Sequence, residues 1–299
     1  MSPAPRRPFC SDVSRADDEP LEATASIVDR WLLIEYRGLW AHDAVDRSTL
    51  SQEVKRAVVA WRNAAPRSRV LFVRRPERRG APGLVVFRAD TPEHGGALRC
   101  LELERHDDLV GIDLDRDGDE LDHPLLLVCT HGKHDPCCAR FGRPLYEALG
   151  EALDEDWVWQ SSHLGGDRFA ANLVALPTGL YFGRVEPSES WTVLDELLAG
   201  RIPLERYRGR SCHPFPVQAA ERAVRETTGL AGVDDLELVT ARTEEDGRWR
   251  VRFARRGSAA QWETLVERRH GPLTHLTCSS EALRHPRHYV AGSPPARVA

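Results

Sequence analysis

The chain has 299 residues, 41% hydrophobic and 29% charged, enough apolar side chain to bury a core in two or three domains. A net charge of -5 argues against nucleic-acid binding as a default, and no apolar window approaches the length of a bilayer span or follows the basic N-terminus as a leader would. Seven cysteines, an odd number scattered along the chain, are poor material for a secreted disulfide framework, so a cytoplasmic protein with reduced or metal-ligating thiols is expected.

Residues 1–25 are polar and Pro-rich and read as a flexible tail with Cys10 a bystander. A 26–120 N-terminal α/β half follows: the run from Trp31 to Tyr36 is a strand, and Thr49 with Gln52 offers a capping box for a helix with Val54, Ala57, Val58 and Trp61 on one face. Strands are expected over 70–75, 84–89 and 98–104, and the row Arg74, Arg75, Arg78 and Arg79 reads as a solvated face. Asp113, Asp115, Asp117 and Gly118 match the start of a calcium loop, but the twelfth position, which needs a bidentate Glu, is Pro124, so the segment is read as a hairpin turn.

Residues 121–203 form the expected centre. A buried strand, Leu125 to Val128, delivers Cys129 into a polar loop that ends near Cys138, and a second strand, Trp157 to Gln160, delivers His163 into a Gly165-Gly166 turn. Thiol and imidazole presented at two strand ends suggest a metal or redox site. Asp135 and Pro136 look like a helix start, with Pro144 leaving either a kinked helix or a short turn and a second helix. A short helix is expected over Phe169 to Leu173, a strand over Thr178 to Val185, and a helix capped by Ser188 with Trp191, Leu194, Leu197 and Leu198 inward. The C-terminal part, 204–299, is a helix from about Pro216 to Thr228, then an antiparallel meander turning at Asp246-Gly247 and including 273–278, and a tail; Cys212 and Cys278 read as structural. The whole is α/β, with no internal repeat period.

The motifs CTHGKHDPCC and SSHLGGDRFAANLVALPTGLYFGRV, with FCSDVSRADDEPLEATA and RGRSCHPFPVQAAERA flanking them, resemble the sucrase/ferredoxin-like family, a branch of the thioredoxin-like ferredoxins. The resemblance implies a [2Fe-2S] cluster on two Cys of the first loop and two His in an H-x-x-x-H pattern at the second. Carried over, the ligand positions are Cys129, Cys138 and His163, and the second His position is Asp167. Carboxylate is a harder ligand than imidazole but suits ferric iron, and Cys137, His131 and His134 are the other candidates for the fourth place. The implied role is one-electron, proton-coupled transfer to or from a redox partner protein, with no nucleic acid or membrane involved. Histidine ligation raises the potential, from about -400 mV for all-Cys plant-type clusters to roughly -150 to +300 mV in Rieske centres, and Arg168 is expected to stabilise the reduced state.

No paired carboxylates are placed for glycoside hydrolysis, so an electron carrier is expected rather than a sucrase. The alternatives are zinc at the same residues, a cluster-free thiol-disulfide protein using Cys129 with Cys137 or Cys138 at a helix N-terminus, and a degenerate family member acting as a binding module.

Overall fold

The computed structural model describes residues 7–153 and 156–298. Helix α1 (Cys10–Ala16) lies inside the stretch expected as a tail, and Cys10, Ser11, Ser14, Leu21, Ala23 and Ala25 are buried there. Small and hydroxyl side chains do this packing, which is why no apolar run announces it. Residues 1–6 of that tail lie outside the described residues.

Strand β1 (Arg30–Glu35), helix α2 (Gln52–Ala64) and strand β2 (Ser68–Arg74) make a parallel βαβ unit; β3 (Leu84–Asp90) and β4 (Ala97–Leu103) continue antiparallel from the other side of β1, and β5 (Asp119–Glu120) pairs outside β4. Val54, Val58 and Trp61 bury the inward face of α2. Its cap is Ser51, whose hydroxyl accepts from the Val54 amide at 3.4 Å, and not Thr49, which hydrogen-bonds the Tyr36 hydroxyl at 2.9 Å. The acidic segment 113–117 is a turn before β5; Asp115 accepts from Trp61 (3.0 Å) and Arg88 (3.3 Å) and pairs with Arg30, so its carboxylate is held by the protein's own cations and indole.

The second half repeats this plan. Strand β6 (Leu125–Cys129), helix α3 (Pro136–Gly150) and strand β7 (Val158–Ser161) are a parallel βαβ unit, β8 (Leu173–Leu176) and β9 (Leu180–Phe182) follow antiparallel beyond β6, and, after helix α4 (Ser190–Leu198), β10 (Tyr207–Arg210) pairs outside β9. The order β9-β8-β6-β7 is the expected thioredoxin-like core. Helix α3 runs unbroken through Pro144. Where a helix was expected over 169–173 there is a single 3-10 turn, Asp167–Phe169, followed by β8. Helix α4 begins at Ser190, directly after a 3-10 turn (Pro187–Glu189) that contains Ser188 and is capped by the Glu186–Glu189 box (amide to carboxylate 2.9 Å); Val193 and Leu194 are buried while Trp191 and Leu198 are exposed.

Val73 of β2 pairs antiparallel with Ser161 of β7, which joins the halves into one ten-stranded sheet among the described residues, β10-β9-β8-β6-β7-β2-β1-β3-β4-β5. Each half has the same βαβ-β-β connectivity with one added edge strand, so the two are related by a pseudo-twofold axis through the β2·β7 pair. This repeat lives in topology, and no sequence period reveals it. The arginine row follows β2 and is largely not a solvated face: Arg74 lies over the Trp40 ring at 4.0 Å, Arg75 is buried beside Trp159, and Arg78 reaches Glu35, leaving Arg79 exposed.

Leu127, fully buried in β6 between β7 and β8, is central to the core. Leu127→Ala is expected to cost about 2–5 kcal/mol in urea unfolding; a loss under about 1 kcal/mol would contradict the packing described.

Helix α5 (Phe215–Thr228) lays Val217, Ala220 and Val224 against Leu236, Val251, Phe253 and Val266 of a second, antiparallel sheet. That sheet comprises β11 (Leu236–Thr243), β12 (Arg248–Arg255), β13 (Gln261–His270), β14 (Arg287–Ala291) and β15 (Ala296–Val298). Residues 273–278, expected as a strand, are a loop with one isolated bridge, Thr274 to Arg284, and the meander closes instead through β14 and β15.

Candidate metal centre

Parallel pairing puts the C-terminal ends of β6 and β7 side by side, with Cys129 opposite Ser161, so the loops that follow open at the same edge of the sheet. The first loop turns into α3 at Asp135, whose carboxylate accepts from the Cys137 amide at 2.9 Å. This cap fixes the first helical turn and aims Cys138 back at the end of β6. Close approach depends on Gly142, one turn later, where an added Cβ would lie 2.0 Å from the carbonyl oxygen of Cys129. The second loop folds back through Gly165 and Gly166, at φ of 100° and 80°, and a Cβ on Gly166 would sit 2.3 Å from the guanidinium of buried Arg208. His163 and Asp167 thereby flank one turn and face the two thiols.

The ligating atoms of Cys129, Cys138 and His163 all lie within 4.8 Å of one another. Asp167 joins them: its Oδ1 is 3.2 Å from the Cys138 sulfur, which donates to it, and 2.9 Å from Nδ1 of His163. Cys129, Cys138 and His163 thus form one group, and Asp167 meets it through Cys138 and His163. His134 forms an overlapping group with His163 and Asp167, its Nε2 4.0 Å from Asp167 and its ring stacked on His163 at 3.7 Å. His131 is turned away, its Nε2 donating to the Ala41 carbonyl at 2.8 Å, and Cys137 points into a different cluster, so neither supplies the fourth ligand in this geometry.

The electrostatics suit a ligand set. Hydrogen bonding with Cys138 pulls the Cys129 thiol well below its ordinary value despite burial, with His163 adding to the effect, and the same contact with Cys129 and burial push Cys138 up. Burial opposes charge on His163, yet Asp167 and Cys129 hold its pKa up to about 9; burial likewise opposes charge on Asp167, and His163 outweighs it. Nδ1 of His163 is shielded from solvent and faces Oδ1 of Asp167 at 2.9 Å, so an ion bound there would take the place of the proton between them. Two sulfurs, an imidazole and a carboxylate fit iron in a cluster or a tetrahedral zinc ion.

Arg168 does not serve this site as expected. It turns to buried Glu19, with Nε 2.8 and 2.9 Å from the two carboxylate oxygens, and its charge is spent there. Arg208 is the cation behind the second loop, donating to the Gly165 carbonyl at 3.0 Å and to Asn172 at 2.7 Å.

Cys10, expected as a bystander, and Cys278, expected as a structural cysteine, meet in one cluster with Cys137. Their sulfurs lie 3.5 Å apart, and each is 3.6 Å or less from the Cys137 sulfur. The adjacent Cys137-Cys138 pair was the available signal: neighbours on a helix point about 100° apart, so two sulfurs in sequence feed two separate groups.

Buried thiol, imidazole and carboxylate donors at the ends of two parallel strands, in a thioredoxin-like sheet, define a protein with a candidate soft-metal centre. The chain belongs to the sucrase/ferredoxin-like family, whose model matches residues 21–209. It is similar to the altered inheritance of mitochondria protein 32 of Eremothecium gossypii, 34% identical over 106 residues, and of Meyerozyma guilliermondii, 25% identical over 118 residues. Those matches take in 31% and 36% of this chain and span only 34% and 42% of the relatives' lengths. Among solved structures it is similar to the thioredoxin-like [2Fe-2S] ferredoxin from Aquifex aeolicus, at 17% identity and a TM-score of 0.26, over 29% of this chain and 97% of that one. A second structure of that ferredoxin aligns at 19% identity and 0.26, over 29% and 91%. The thioredoxin-like description of this chain rests on its own strand order.

Proposed function

We propose that Cys129, Cys138, His163 and Asp167 hold a [2Fe-2S] cluster and that the protein carries single electrons. The observation that carries this reading is the convergence of the two thiols and His163 within 4.8 Å, with Asp167 against both Cys138 and His163. Bound there, the cluster would supply one-electron chemistry at a potential set by its mixed ligands. The residues do the rest: Asp135 and Gly142 hold Cys138 against Cys129, the Gly165-Gly166 turn fixes His163 and Asp167, and binding draws off the proton that His163 otherwise keeps.

A path to the surface supports the carrier role. The rings of His163, His134 and His42 stack in series, with centroids 3.7 and 4.6 Å apart, and His42 is half exposed beside a cavity of about 210 Å³ lined by all three. This is the face we assign to a redox partner protein. None of the seven cysteines is disulfide-bonded and no helix among the described residues is long and apolar enough to cross a membrane, which supports our placing the protein in a reducing compartment such as the cytoplasm.

Anaerobic purification should yield a coloured protein with iron and acid-labile sulfide in equal amounts, and Cys129→Ser should lose both. A colourless protein that takes up neither on reconstitution would overturn the proposal. Zinc at the same residues would appear as metal without colour or sulfide. For the thiol-disulfide reading the geometry leaves Cys129 with Cys138 as its pair, since Cys137 belongs to the other cluster.

A further inference from the structure

We propose that Cys10, Cys137 and Cys278, with Asp135, form a second and separate metal site for a thiophilic divalent cation of the zinc type. The three sulfurs make a nearly equilateral triangle, with separations of 3.6 Å (Cys10 to Cys137), 3.4 Å (Cys137 to Cys278) and 3.5 Å (Cys278 to Cys10). Three thiolates bonded to one tetrahedral zinc ion at about 2.3 Å stand about 3.8 Å apart, so a shift of a few tenths of an ångström in each side chain seats the ion. The fourth donor is Asp135, whose ligating oxygen lies within 4.8 Å of all three sulfurs; Oδ2 is 3.7 Å from the Cys10 sulfur.

The three cysteines pack with Ala170, Phe9 and Phe141, but the cluster also holds polar groups that apolar packing alone does not call for: Asp135 is fully buried among them, the Ser11 hydroxyl donates to the Cys137 sulfur at 3.1 Å, and the Cys10 amide donates to the Cys278 sulfur at 3.3 Å. Hydrogen bonds to sulfur are the outer support a thiolate ligand needs. The loop that brings Cys278 is itself held in place: Arg7 donates to the carbonyls of Ser280 (2.7 Å), Thr277 (2.9 Å) and Cys278 (2.7 Å), and the Cys278 amide donates to Asp135 at 2.7 Å.

The ligands come from α1, the first turn of α3 and the loop after β13. An ion there ties both ends of the chain to the turn that carries Cys138, so it braces the first site while sharing no ligand with it. Its presence does not depend on iron binding at Cys129 and Cys138.

The test uses the full chain, purified with reductant and loaded with zinc alone. At one equivalent of zinc per chain, X-ray absorption fine structure is expected to show the ion in a shell of three sulfurs near 2.3 Å and one oxygen, the three-thiolate set outcompeting the two thiolates of the first site. Cys278→Ser, on a partly exposed loop, should weaken zinc binding more than about tenfold while leaving iron uptake at the first site. A zinc shell of two sulfurs with two nitrogen or oxygen atoms, unchanged in Cys278→Ser, would place the ion at the first site and overturn the proposal. So would a fully reduced wild-type protein that retains no zinc. The fine structure of the wild type reads the ligand set even if the variant fails to fold.

Discussion

Asp167→His is expected to raise the reduction potential of the cluster-loaded protein by on the order of 100 mV. The carboxylate adds negative charge to the ligand set and so disfavours the reduced, more negative state; a neutral imidazole in its place removes that charge. Exchanging two thiolates for two histidines separates clusters near -400 mV from those at about -150 mV and above, so a change of about 100 mV for one anionic ligand is of the right size. A redox titration under argon measures it. Asp167→Ala should lose iron readily, whereas His134→Ala should keep it, because Asp167 lies 3.2 Å from the Cys138 sulfur while His134 touches the group through Asp167 at 4.0 Å and by stacking. The reverse pattern, with His134→Ala stripping the iron and Asp167→His leaving the potential unchanged, would make His134 the fourth ligand. A parent protein without iron whose D167H variant gains a cluster would favour the binding-module reading.

Much of this site was legible because strand ends and caps are local. The run Leu125 to Val128 and the Asp135-Pro136 start depend on neighbours in sequence, and they sufficed to bring Cys129 and Cys138 together with His163. What stayed hidden is non-local. Cys10 and Cys278 are separated by 268 positions, and only the folding of α1 and the Arg7-held loop onto α3 makes them neighbours of Cys137. Arg168 could not be assigned from its place beside Asp167, since a long side chain goes to whichever buried carboxylate the fold offers, here Glu19. The doubled βαβ-β-β plan left no sequence period because the halves keep the same hydrophobic pattern with different side chains: β1 ends at Glu35 where β6 ends at Cys129. The helices expected after Thr49 and Ser188 form, but their starts were misread: Ser51 caps α2 while Thr49 bonds the Tyr36 hydroxyl, and Glu186 with Glu189 closes the turn that leads into α4.

Glu221→Gln is expected to cost about 3 kcal/mol of stability, with no direct effect on the metal centre. Glu221 is buried on α5, where its carboxylate accepts from Arg225 (3.0 and 3.1 Å) and from the Tyr207 hydroxyl (2.9 Å) and lies 3.6 Å from Arg210. Removing its charge leaves two buried guanidinium groups without an anion, a change that costs about 3–5 kcal/mol. The lower end applies because both arginines also donate to carbonyls, Arg225 to Gly232 at 2.7 Å and Arg210 to Glu93 at 2.6 Å. Urea unfolding near pH 6 should show a lower midpoint at unchanged slope; a loss under about 1 kcal/mol would mean that the carbonyls alone suffice. The pH dependence separates charge from packing. Burial opposes ionisation of Glu221, but Arg210, Arg225 and His213 outweigh it and hold its pKa at about 2 against 4.5, so its contribution is present above about pH 4.5 and is lost as pH falls towards 2. That limb is worth about 3 kcal/mol in the parent and should vanish in Glu221→Gln. His213 acts with the opposite sign: burial opposes its charge, Cys212 and Glu93 raise its pKa from 6.5 to about 9, and its contribution is full below pH 6.5 and fades as pH rises through 9. The parent should therefore be most stable between about pH 4.5 and 6.5, and a variant that keeps the acid limb after losing Glu221 would assign that limb to another carboxylate.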